Sequence, residues 1–223
     1  RVPLGSVPLG EVLAKGWPMM IRSIALLTAI TATTWYASRL GAVDTAAHQV
    51  ALQVWLFLAF VLDSFAVAAM AMVGSDLGAE AVDEARDVAN RLLALGLVTG
   101  VGLSVLVAAT APVLPAVFGL EPEVAHALRS IYPFVIVLQP LTALVYVWDG
   151  VAIGAAVFRY LSASMVVSAV AAIVTLVLIG DSLVGVWWSL AVLTVARLVT
   201  LWGWHRLGVL GAGRGPSLGS PGV

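Results

Sequence analysis

Six runs of apolar residues follow one another along this chain, near 18–38, 47–73, 89–111, 129–153, 159–180 and 184–204, with only short polar stretches between them. A helix needs about 20 apolar residues to cross a hydrocarbon core of roughly 30 Å. Lipid offers no water to an open backbone, so segments of this kind span as helices. The fold class expected is therefore all-α: a polytopic membrane protein built as a six-helix transmembrane bundle. Composition agrees, since 61% of the 223 residues are hydrophobic and 10% charged, with a mean hydropathy of +1.06, where soluble domains carry roughly a quarter charged residues. The spans use up the chain and leave no stretch for a water-soluble catalytic domain.

Charge and reactive residues narrow the function classes. The net charge of −1, from 11 Lys and Arg against 12 Asp and Glu, gives no basic field for nucleic acid. There is no cysteine, which removes disulfides and thiolate chemistry together. The histidines His48, His126 and His205 all fall near ends of the apolar runs, no G-x-S-G nucleophile occurs, and no His pair suits haem or zinc. An enzyme is not expected, and neither are catalytic residues, a metal site or a cofactor. The chain opens at Arg1 with its first apolar run starting late and no visible signal peptide, so the expectation is a piece of something longer.

Orientation follows from the cations. With the first span running outward, the inner segments and helix ends hold Arg1, Lys15, Arg22, Arg86, Arg91, Arg159, Arg206 and Arg214, whereas the outer ends hold Arg39 and Arg129. That asymmetry obeys the positive-inside rule, and an even number of spans returns the tail GAGRGPSLGSPGV to the inner side. Arg197 is left over inside a span. In the last span Trp187 and Trp188 lie about 15 residues from Trp202 and Trp204, roughly 22 Å of helix, a spacing that suits aromatic belts at both interfaces or plain core packing.

The polar residues of the spans form seams. In the second span Gln49, Gln53 and Asp63 stand 4 and 10 residues apart, within roughly 80° of arc. In the fourth, Tyr132, Gln139, Thr142, Tyr146 and Asp149 follow at 7, 3, 4 and 3, and in the first, Thr28, Thr31, Trp35 and Ser38 at 3, 4 and 3. A seam facing acyl chains would leave its donors and acceptors unsatisfied at several kcal/mol each. The seams are expected to face protein or a wet chamber between helices; the hydroxyls and amides alone fit interhelical hydrogen bonds equally well.

The carboxylates are harder to explain as packing. A charge near the bilayer centre costs about 3 kcal/mol or more, and Asp63 lies about 11 residues, or ~16 Å of helix, from the inner end at Gly74. Asp149 sits five residues before Gly154, closer to the inner surface. Arg197 is the intramembrane cation expected to pair with Asp149 or Asp63. Asp63 reads as a proton or cation relay or as the counter-ion of a cationic substrate, the alternative being a structural ion pair or helix-to-helix hydrogen bond. Pro133 and Pro140 each remove a backbone donor from the fourth span, and Gly96, Gly100 and Gly102 allow close helix approach in the third. These features suit a bundle that rocks between states.

Two stretches carry a family likeness. AAHQVALQVWLFLAFVLDSFAVAAMAMVGSDLGAEAVDEAR, Ala46 to Arg86, resembles the region of the eighth helix in the multidrug and toxic compound extrusion (MATE) transporters, above all the DinF-like subgroup, with its AAHQ opening, intramembrane Asp and VGxxLGA ending. LQPLTALVYVWDGVAIGAAVFRYL, Leu138 to Leu161, resembles that subgroup's tenth helix and the following turn. The resemblance runs over about residues 10 to 208, in the order of helices seven to twelve. It implies one lobe, the carboxyl-terminal one, of a twelve-helix secondary antiporter that exports drugs or organic cations by alternating access on a proton or sodium gradient. Residues 1–17 would be the cytoplasmic inter-lobe linker, 18–208 the six-helix lobe and 209–223 a cytoplasmic Gly/Pro/Ser-rich tail.

The implied partners are the lipid bilayer, an amino-terminal six-helix lobe missing from this chain, a small cationic or amphiphilic substrate, and H+ or Na+. The implied location is the bacterial inner (plasma) membrane, multi-pass, with both ends of this segment cytoplasmic. Asp63 and Asp149 carry over by motif as the carboxylates of helices eight and ten. Gln49, Gln53, Thr31, Trp35, Gln139, Thr142, Tyr146 and Arg197 become candidate walls of the substrate and ion pathway. This sequence departs from the family where GAGD after the eighth helix reads GAEA at Gly78–Ala81, where GAGD after the tenth reads GAAV at Gly154–Val157, and at Met70, where Gln or Glu is usual. Sodium-coupled members place an acid where this chain has Thr142, so that cation site is expected to be absent. In the DinF-like group the proton-coupling carboxylates belong mainly to the other lobe. Two alternatives stand beside the exporter: a lipid-linked oligosaccharide flippase of the same superfamily, and a non-transporting half-protein or scaffold.

Overall fold

Over residues 9–206, which the computed structural model describes, the chain forms α1 (Leu9–Leu40), α2 (Ala42–Gly78), α3 (Val82–Thr110), the one-turn α4 (Leu114–Val117), α5 (Pro122–Gly154), α6 (Phe158–Ile179) and α7 (Leu183–Arg206). The first half of the expected linker and the Gly/Pro/Ser-rich tail lie outside the described residues, and α1 takes in the rest of the linker. Five helices, α2, α3, α5, α6 and α7, are long and apolar enough to cross a membrane. α1 is the polar member: within its apolar run it carries Arg22, Ser23, Thr28, Thr31, Thr33 and Thr34. Thr33 is buried and donates to the Ile30 carbonyl, and Thr34 meets the His48 ring, so part of this polarity is satisfied inside the bundle. The 37 residues of α2 and 33 of α5 correspond to about 50 Å or more of helix, enough to cross the hydrocarbon core and both headgroup layers.

α5 is the centre of the bundle, packed most extensively on α2 and then on α3 and α7. Its seat on α2 depends on glycine. A methyl built at Gly150 would fall 2.8 Å from the Ala66 Cα, and one at Gly154 would fall 2.8 Å from the Met70 carbonyl oxygen. On its other side α3 comes in through Gly96 and Gly100, where a methyl at Gly100 would meet the Ala143 Cβ at 2.7 Å and the Pro140 Cα at 2.9 Å. Pro140 has no N–H to give to Ile136 one turn back, and Ser104 of α3 donates to that freed carbonyl at 2.7 Å. The proline thus binds two helices together.

α2 and α5 end in the same turn. The Ala81 N–H reaches the Asp76 carbonyl at 2.9 Å and the Glu80 N–H that of Leu77 at 3.2 Å; the Val157 N–H reaches Ala152 at 3.0 Å and the Ala156 N–H reaches Ile153 at 2.9 Å. This is the Schellman pattern, which places its C′ residue in the left-handed region and favours glycine there. Here C′ is Glu80, at φ 60°, and Ala156, at φ 56°. The two departures from GAGD therefore put side chains where backbone geometry prefers none, yet the turns still form.

The tryptophan pairs divide between core and surface. Trp187 and Trp204 are buried, whereas Trp188 and Trp202 are exposed. Trp187 packs among His48, Trp55 and Phe134 with ring centroids 5.7 to 6.4 Å away, and Arg206 lies 4.9 Å over the Trp202 ring. A belt formed by all four rings is thus corrected to one outward ring at each end of α7.

Candidate functional site

Asp149 lies on the face of α5 turned into the bundle and is 3% exposed. Both of its carboxylate oxygens accept from Arg197 Nη2 of α7, and Oδ2 also accepts from Arg22 Nη2 of α1 at 2.7 Å. Three helices are joined through one carboxylate. Burying such a charge is costly unless it is paired and hydrogen-bonded, and two guanidiniums meet that condition while adding one positive charge beyond what Asp149 cancels.

Next to this cluster is a cavity of about 130 Å³ between α1, α2, α5 and α7, with Thr142, Tyr146, Thr194 and Arg197 as its polar wall and Leu26, Leu52 and Trp55 among its apolar lining. Arg197, Asp149, Asp63 and Arg22 all lie within electrostatic reach of the Tyr146 hydroxyl. The Thr142 hydroxyl and both amide atoms of Gln139, itself 1% exposed, are buried without a hydrogen-bond partner. The α5 seam from Gln139 to Asp149 is a single inward stripe. Its upper member Tyr132 lines a separate pocket with Arg129 and Pro115.

The remaining candidates stand outside this cavity. Gln53 and Asp63 are exposed on α2, and Gln49 is half-buried. Asp63 forms no ion pair among the described residues. Thr31 and Trp35 line an open groove on the outer side of α1 with Ile24, Leu27 and Thr28, and Trp35 is covered by the Arg39 guanidinium at 4.8 Å. The three seams therefore do not share one chamber within this bundle: the α5 seam faces inward while those of α1 and α2 face out.

A model of the MatE family matches residues 18–178. The chain belongs to the MatE family. It is similar to Protein DETOXIFICATION 42 of Arabidopsis thaliana, 34% identical over 204 residues that make up 91% of this chain and 39% of that protein. The chloroplastic DETOXIFICATION 45 of the same plant is 31% identical, over 92% of this chain and 36% of its own length. The chain thus spans about two fifths of the length of these curated relatives. A MOP superfamily transporter from Pyrococcus furiosus has the same fold, with a TM-score of 0.76 at 19% identity over 86% of this chain and 43% of that one. A variant of the Vibrio cholerae MATE transporter VcmN overlays with a TM-score of 0.79 at 13% identity, over 93% and 48%. The same fold occurs in an outward-facing multidrug resistance MATE family transporter of the MOP superfamily, with a TM-score of 0.74 at 19% identity over 86% of this chain and 43% of that one.

Within this MatE chain two residues matter more than their sequence positions suggested. Arg22 reads as an inner-end cation, yet it reaches inward to Asp149, so Arg197 is not the sole cation in the bundle. Its place four residues inside an apolar run was the available signal. His48, assigned to a span end, is buried, with Nε2 3.3 Å from the Thr34 hydroxyl and its ring edge-on to Trp187. The two carboxylates also exchange standing: Asp149, the shallower one by sequence, is enclosed and paired, and Asp63, the deeper one, is open.

Proposed function

We propose that this chain is the carboxyl-terminal lobe of a twelve-helix MatE exporter, a secondary antiporter that expels drugs or organic cations on a proton or sodium gradient. The observation that carries this reading is the unfinished face of α2. Asp63 and Gln53 are exposed there, within a helix apolar enough to span a membrane. A carboxylate at that depth does not face acyl chains; it faces protein or a water-filled cavity. A second six-helix lobe set against this face supplies both, and the 43–48% of solved transporter chains covered by this one leaves room for it.

In this reading Asp63, Gln53, Thr31 and Trp35 stand on the side of the lobe turned to the central pathway. Gln49 belongs to its edge, while Gln139, Thr142, Tyr146, Asp149 and Arg197 form the inner wall. The DinF-like subgroup is favoured by the AAHQ, VGxxLGA and LQP motifs. An orientation with both ends of the segment in the cytoplasm of a bacterial inner membrane is favoured by the Lys and Arg distribution. The relatives named DETOXIFICATION and NorM, a probable multidrug resistance protein of Haemophilus ducreyi, fit an export role.

Ethidium efflux from cells expressing the complete protein tests this reading. Robust efflux that falls by an order of magnitude or more in Asp63→Asn is expected. Unchanged efflux in that variant would remove Asp63 from the mechanism, and no efflux in either protein would favour a non-transporting scaffold.

A further inference from the structure

Independently of the transport reading, we propose that the interior cavity between α1, α2, α5 and α7 binds one small monovalent anion, of about chloride or formate size, against Arg197. Two guanidiniums and one carboxylate leave this cluster one positive charge in excess, and among the described residues no second carboxylate forms an ion pair with Arg22 or Arg197. Asp63, which lies within electrostatic reach of Tyr146, is exposed on α2 and accepts no hydrogen bond from either arginine. The excess is therefore not cancelled by contact inside the lobe.

The donors for an anion are already in position. Arg197 and Thr142 both line the cavity, are 7% and 5% exposed, and each holds a buried atom able to donate, Nε and Oγ1, without a partner. Gln139, one turn before Thr142 on the same face of α5, keeps its amide group buried and unpartnered as well. The other walls are mostly Leu, Ile, Val and Trp, and an apolar lining strengthens the attraction between a guanidinium and a counter-ion. A cavity of about 130 Å³ has room for a small ion with a few waters, whereas drug-sized ligands occupy roughly 300–1,000 Å³. A cation would be repelled by the two guanidiniums of the cluster.

Thermal melts of the complete protein in detergent test this, at fixed ionic strength, with gluconate replaced by chloride, bromide or formate. Because a ligand that binds only the folded state stabilises it in proportion to occupancy, a saturable rise in melting temperature is expected with at least one of the three small anions. A rise with the halides alone identifies an inorganic ion, and one with formate alone identifies a small carboxylate. Thr142→Val, close in shape, removes one donor to a charged ligand and is expected to weaken the apparent affinity about tenfold. Diffraction from bromide-soaked crystals is expected to place an anomalous peak beside Arg197. Equal melting temperatures in all four salts, an unchanged response in Thr142→Val, or bromide bound only elsewhere would overturn the proposal. A failure of ethidium efflux would leave it untouched.

Discussion

Asp63 of α2 and Asp149 of α5 stand on the two helices that pack most extensively on each other, each inside an apolar run, and their surroundings are opposite. Asp149 is enclosed, with a guanidinium from α1 and another from α7 on its oxygens. Asp63 is exposed and has no ion-pair partner among the described residues. The cost of sinking a carboxylate in hydrocarbon is similar for both. For Asp149 it is offset within the lobe, by residues 127 and 48 positions away in sequence. For Asp63 no ion pair among the described residues offsets it. One carboxylate is closed within the bundle and the other is open on its surface.

The largest effect that tests this contrast is on Asp149. Asp149→Ala strands two guanidiniums, and loss of one partner of a buried pair costs about 3–5 kcal/mol; a melting temperature close to that of the parent protein in detergent would abolish the distinction. Next comes the contact between the two helices. Gly150→Ala pushes a methyl against the Ala66 backbone, and overpacking of this kind costs about 1–3 kcal/mol, which a melt of the purified variant measures directly.

Smaller changes act on the turns that close both helices. Glu80→Gly and Ala156→Gly relieve left-handed side chains and are each expected to stabilise the protein by about 0.5–1 kcal/mol. A loss of stability in either would mean that its side chain makes a contact worth more than the backbone strain. The smallest effect is on Asp63: Asp63→Asn should leave the unfolding free energy of this chain within about 0.5 kcal/mol of the parent, even where it abolishes efflux in the complete protein. A large loss of stability there would place Asp63 with Asp149 after all.

Much of the α5 stripe was legible in the chain. Spacings of 3, 4 and 3 from Gln139 to Asp149 put those residues on one side of a helix whatever that helix packs against, and the structure turns that side inward. Arg197 was legible as a buried cation because nothing else about a mid-span arginine is tolerable. The seams of α1 and α2 show the limit of the same reasoning. Thr31 and Trp35 of α1 and Gln53 and Asp63 of α2 also fall on stripes by spacing, yet they face outward. Arg22 was misjudged for a related reason: counting cations by their distance from a span end measures depth and ignores direction.

Hydropathy and helical period are properties of one segment at a time, and they determined by themselves that this chain crosses a membrane as long helices, with a polar stripe on three of them. Which stripe meets which depends on how each helix is rotated about its axis. That rotation is set by close contacts between distant residues, such as Gly150 on Ala66, Gly100 on Pro140 and Ser104 on the carbonyl that Pro140 releases. Only the tertiary structure holds those contacts. It therefore decided that Asp149 meets two arginines while Asp63 stands exposed on α2.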